Sequence, residues 1–229
     1  MVIALIALGK MRPHRLILWL DDPAHYDALT RPLSKLRQRG LEINLCENFG
    51  PHTKYWPYVS GPDLTAKNDL VTADDDVVYP SWWLERLVMA AHANRSVISA
   101  HRAHRISLRG DALAPYLEWL PVTSTEPSHL NFATGVSGVL YPPRFQALLR
   151  KEGEAFKHCS ATADDVWINA VAAKHGWRVR QVDQRSQLFP NLWGSQSTNL
   201  FRQNVSNLGN DAQLAACYTT PIIESLRKE

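Results

Sequence analysis

The 229-residue chain is poor in several things, and each shortage removes a class of protein. It has three cysteines, Cys46, Cys159 and Cys217, which are odd in number, far apart and in no CxxC or Cys/His cluster. That excludes a disulfide framework or zinc finger readable from spacing and fits a reducing cytoplasm. Long hydrophobic runs are missing too. The apolar start, Met1 to Leu8, gives way to Lys10 and Arg12, too short to span a bilayer and without the basic residues that precede a signal-peptide core. Peripheral attachment to a membrane stays open. Charge of one sign is also lacking: 25 Lys and Arg against 22 Asp and Glu leave +3. The only basic cluster, Arg102, Arg105 and Arg109, has no interleaved aromatics, so no nucleic-acid partner is expected. With no repeats, low-complexity tracts or obvious linker, residues 1–229 read as a single domain.

What remains is a hydrophobic content of 45%, ordinary for a globular protein, and eight tryptophans. Apolar strand-like runs alternate with helix-like stretches. Residues 1–9 read as the end of an apolar helix, stopped by Gly9. Leu16–Leu20 and Leu41–Leu45 read as strands around one helix from Tyr26 to Arg39. Gly50–Pro57 is a turn into a short helix. Leu70–Ala73 is a strand, and Ser81 is placed to cap the next helix, whose buried face is Trp83, Leu84, Leu87, Val88 and Ala91. Further strands follow at Val97–Ala100, before Pro142 and at Arg178–Val182, with helices from Pro143 and Thr162. Residues 186–210 read as a loop or flap. The alternation predicts a layered α/β fold with a central, mostly parallel mixed sheet flanked by helices.

Chemistry concentrates first at Asp74-Asp75-Asp76, where the Leu70–Ala73 run ends. Ligands of open α/β sheets bind at the carboxyl ends of strands. Three adjacent carboxylates repel unless a positive charge joins them, and a divalent ion is the simplest candidate. The plainer alternative is that these acids cap a loop or helix. The second group is Asp164-Asp165, at the start of a helix beside Trp167. Acids there suit the helix dipole, but one could also serve as a general base, provided the fold brings it near Asp74–Asp76. The third is Thr134-Gly-Val-Ser-Gly138, whose small residues either admit a ligand to the backbone or make a tight turn. Lys54 is placed to neutralise a phosphate or, by default, to be solvated. His101 and His104 have no third ligand nearby in sequence.

Taken in order, Pro51–Pro57, Leu70–Pro80, Ala100–Ala103, Thr134–Pro143 and Ala163–Trp167 resemble a bacterial family 2-like glycosyltransferase of the GT-A type, over most of the chain from about Arg12. The resemblance implies a nucleotide-sugar donor, a carbohydrate or glycoconjugate acceptor, and Mg²⁺ or Mn²⁺. It places Asp76 on the metal and Asp74 at the donor ribose or the metal's water shell, with Asp75 and Lys54 also on the donor side. Asp165 matches the usual base and Asp164 its partner. Gly135, Ser137, Gly138 and Trp167 fall on the acceptor side.

Relatives begin with a strand that supplies part of the nucleotide pocket, whereas this chain is expected to start within the helix that follows it. Two alternatives therefore accompany the enzyme: a carbohydrate- or nucleotide-binding relic, and a magnesium phosphohydrolase. The latter needs its nucleophilic Asp after the first strand of the fold, not after a later one.

Overall fold

The computed structural model describes residues 2–62, 64–65, 67–192 and 209–229. Its first helix, α1 (Val2–Ala7), buries Val2 and Ile6 and ends before Gly9, as its apolar sequence predicts. Next, β1 (Ile17–Leu20) and β2 (Glu42–Leu45) form a parallel pair with Ile17 opposite Glu42 and Leu20 opposite Leu45. Between them the expected single helix is two: α2 (Pro23–Asp27), capped by the Asp22 carboxylate on the Ala24 N–H, and α3 (Arg31–Arg37). Pro32 explains the break. It has no N–H to donate to the preceding turn and sits in the first turn of α3, whose N-cap, Thr30, has non-helical backbone.

A 3₁₀ turn at Gly50–Lys54 leads into α4 (Trp56–Ser60), and β3 (Leu70–Thr72) follows. Then come α5 (Trp83–Ala93) and β4 (Val97–Ala100). Trp82, not Ser81, holds the N-cap position of α5, and no side chain caps it. Short antiparallel pairs follow: β5 (Ala103–Arg105) with β8 (Asn131–Ala133), and β6 (Leu108–Arg109) with β7 (Ala112–Leu113). After these, β9 (Val139–Tyr141) runs into α6 (Pro143–Glu152), α7 (Phe156–Cys159), α8 (Asp164–Lys174) and β10 (Arg178–Gln181). The chain closes with α9 (Gly209–Cys217) and α10 (Thr220–Leu226). The loop expected over 186–210 lies outside the described residues for 193–208; its last two residues open α9, and Asn191 bridges Val77.

The protein is thus mixed α/β, but its sheet is divided. A four-stranded mixed sheet runs β10-β4-β9-β3, parallel only between β10 and β4, and the parallel β1–β2 pair stands apart from it. Among the described residues β1 ladders only with β2, and β3 only with β9. Residues of both border one cleft, Leu16–Trp19 from the first and Leu70, Val71 and Ala73 from the second.

The main core gathers around α8, nine of whose eleven residues are buried. A helix that is apolar nearly all round must be enclosed, and α8 packs against α6, α9, α10 and β8. A second cluster joins α1 and α5 to Tyr79, Leu140 and Phe189. Among the described residues no helix is long and apolar enough to cross a membrane.

Candidate active site

The acids that end β3 sit on a turn fastened from both sides. The Asp74 N–H donates to the Tyr79 hydroxyl at 2.9 Å, and that hydroxyl donates to the Val136 carbonyl at 3.2 Å. On the outer side, Leu192 donates to the Asp76 carbonyl at 2.7 Å and Val78 to the Pro190 carbonyl at 2.8 Å. Tyr79 is anchored in the core between Trp83 and Phe189. Asp74 and Asp76 are half-buried, Asp75 is exposed, and all three line the cleft of about 1680 Å³.

The second pair of acids arrives on α8. The loop before it is held by His52, whose Nε2 lies 2.7 Å from the Ser160 carbonyl and whose Nδ1 lies 3.0 Å from the Tyr55 hydroxyl. A carbonyl only accepts, so Nε2 carries the proton and Nδ1 accepts from Tyr55. The imidazole also stacks on Phe156, centroids 4.0 Å apart, and burial lowers its pKa. Further along the helix, Asn169 brackets Ala133, accepting from its N–H at 2.9 Å and donating to its C=O at 2.8 Å. The middle of α8 is thereby fixed to β8, which runs directly into the glycine-bearing turn.

Lys54 joins the halves. Its Nζ is 2.8 Å from Asp74 Oδ1 and 3.3 Å from Asp164 Oδ2, between two motifs ninety residues apart in sequence. Burial works to lower its pKa, but Asp164, Asp74 and Asp165 outweigh that and hold it well above its ordinary value. The positive charge that the acids require is in part this lysine. Asp165, behind the pair, is pushed up to about 7: burial and the Asp164 charge raise it, and Lys54 only partly offsets them. A carboxyl group poised there exchanges a proton readily near neutral pH.

The glycine turn divides into two roles. Gly135 lines the cleft, and a Cβ on it would stand 3.4 Å from Lys54 Nζ and 3.7 Å from Asp164 Oδ2. Ser137 and Gly138 stand behind the wall instead. The Ser137 hydroxyl donates to the Gln187 carbonyl at 2.6 Å, and its own carbonyl accepts from the Trp83 indole N–H at 2.8 Å. Trp167 lies in the core against Phe156, away from the cleft.

Sequence reasoning took Thr134 only as the head of the glycine turn and did not single out Tyr79, Arg102 or Tyr116 as site residues, yet Thr134, Arg102 and Tyr116 line the cleft with Asp165. Arg102 donates to the Thr134 hydroxyl at 3.1 Å and also to Tyr116, whose proton it makes easier to lose against the larger effect of burial. The only signal in the sequence was an arginine just past the end of β4.

Among the described residues, no three His, Cys, Asp or Glu side chains converge as a metal cage. Two carboxylates on one turn, Asp74 and Asp76, are nonetheless the hard oxygen donors that a magnesium-type ion takes when substrate and water complete its shell. The chain matches no protein-family model and no curated protein.

Proposed function

We propose that the protein is a GT-A-like, metal-dependent glycosyltransferase that moves a sugar from a nucleotide-sugar to an acceptor hydroxyl. The observation that carries this is Lys54 bridging Asp74 and Asp164, because it makes the acid turn and the acid pair two sides of one site. In this reading Asp76 and Asp74 would hold Mg²⁺ or Mn²⁺, and the ion, when bound, would supply positive charge to the diphosphate of the donor. Lys54 supplies a fixed positive charge beside the phosphates. Asp165, raised to about 7, takes the acceptor hydroxyl's proton in its ionised form. Gly135 keeps the wall low enough for the sugar to reach both groups.

A second reading, binding without turnover, has its own support: the β1–β2 pair stands apart from the four-stranded sheet, yet residues of both β1 and β3 line the cleft.

Incubating the protein with a panel of nucleotide-sugars and Mn²⁺, and following release of nucleoside diphosphate, decides between them. Release that is lost in Asp165→Asn and Asp76→Ala supports the transferase. No release with any donor, while calorimetry still detects nucleotide or sugar, overturns it in favour of a binding protein. Release that survives Asp76→Ala removes the metal assignment.

A further inference from the structure

Two of the three cysteines, separated by 58 positions, meet in the structure. Cys217, buried at the end of α9, directs its thiol at Cys159, half-buried at the end of α7, with the sulfurs 3.0 Å apart. That is closer than two unbonded sulfurs ordinarily rest, and about 1 Å beyond the disulfide length of ~2.05 Å. Nothing in the candidate chemistry uses either thiol. Cys46, the third cysteine, is half-buried just after β2.

We propose that Cys159 and Cys217 form an oxidisable dithiol that peroxides convert to an intramolecular disulfide locking α7 to α9. The surroundings set the order of events. Cys159 is the more accessible sulfur, whereas burial holds the Cys217 thiol protonated. Cys159, as thiolate, attacks a peroxide oxygen. The O–O bond breaks, the sulfur becomes a sulfenic acid, and the hydroxide released takes up the proton that Cys159 had given to solvent, leaving as one water. The Cys217 sulfur then displaces the hydroxyl group from Cys159. The S–S bond forms, and the Cys217 proton leaves with that hydroxyl as a second water. Two electrons pass from the thiols to the peroxide.

The site touches the acid-bearing helix. Ser160, next to Cys159, donates its hydroxyl to the Ala163 carbonyl, and Gln213 of α9 accepts from both that hydroxyl and the Thr162 N–H. The loop leading to Asp164 therefore lies between the two elements that the bond would join.

The fully reduced protein, treated with a small excess of hydrogen peroxide, then denatured, alkylated and mapped by mass spectrometry, tests this. The expected result is a monomer with one free thiol, Cys46, and a Cys159–Cys217 peptide, at a rate unchanged in Cys46→Ser. In Cys217→Ser, Cys159 should stop at a sulfenic acid that dimedone captures. Because Cys217→Ser could misfold, Cys159→Ser provides the second check: it should leave all of its thiols intact under the same dose. Three free thiols in the treated wild type, a link through Cys46, or a Cys159 oxide with Cys217 still free would each overturn the proposal.

Discussion

The hydroxyl of Tyr79 accepts the backbone N–H of Asp74 at 2.9 Å. The same oxygen donates to Val136, so a single atom sets the spacing between the acid turn and the glycine turn. Tyr79→Phe keeps the packing against Trp83 and leaves a backbone N–H and a carbonyl without this partner. Buried groups left so cost about 1–3 kcal/mol. We expect that loss in urea unfolding, with an unchanged m-value, and a larger proportional fall in any nucleoside diphosphate release, since the turn carrying Asp74 and Asp76 is no longer pinned.

Gly138 is required for packing. Its φ is +92°, and a Cβ there would stand 2.5 Å from a ring carbon of the Trp83 indole. The indole cannot retreat, being buried and held by the Ser137 carbonyl. Gly138→Ala combines backbone strain with overpacking, each about 1–3 kcal/mol. Thermal unfolding should show a fall in Tm of about 4–24 °C, at about 2–4 °C per kcal/mol for a chain of this size, or no folded protein. Gly135, with a negative φ and flexible neighbours, should accept alanine with a loss of less than about 1 kcal/mol. Equal effects at the two positions would contradict this division.

Lys54→Met removes the cation between Asp74 and Asp164. The lysine's folded pKa is raised, so its stabilisation is complete below the unfolded value of about 10.4 and is lost only as pH rises through the folded value. At pH 7 the variant should be destabilised by about 2–4 kcal/mol, somewhat below the cost of breaking a fully buried pair because Lys54 retains some exposure. The deficit should shrink at acid pH, because part-buried carboxylates deprived of their cation take up protons more readily. Denaturation at pH 3.5, 7 and 9 checks the trend; a deficit independent of pH would assign the lysine to packing alone.

Much of this was legible in the sequence because local patterns fixed it. The strands Leu16–Leu20 and Val97–Ala100, the helix at Asp164 and the acids after β3 each announce themselves within a few residues. What could not be read depends on contacts across long separations. Lys54 is an ordinary lysine until the fold sets it between residues 20 and 110 positions away. The same holds for Cys159 and Cys217. Ser137 and Gly138 show the converse: small residues that suit a ligand's approach serve here to pack Trp83 and bind Gln187. Pro32 was a local signal, but helical leucine spacing on both sides masked its power to break the helix. The resemblance ordered the motifs, yet the divided sheet follows from backbone pairing that no motif encodes.

The elevated pKa of Asp165 makes a sharper test, because its sign is opposite to that of a carboxylate in a simple salt bridge. Its unfolded value is about 3.9, and burial with the Asp164 charge lifts the folded value to about 7. Between those pH values the native state binds more protons than the unfolded chain, so stability falls as pH rises from about 4 to 7. Complete ionisation would cost on the order of 2–4 kcal/mol, and the Asp164–Asp165 pair shares the titration. Asp165→Asn keeps an oxygen for the Val166 N–H, which the native side chain bonds at 2.9 Å, and removes the charge. The variant should therefore equal the wild type near pH 4.5 and exceed it in stability at pH 8. If Asp165 is also the proton acceptor, the more stable variant will be the inactive one. A variant less stable than wild type at pH 8 would show that the carboxylate is ionised and well compensated in the folded protein.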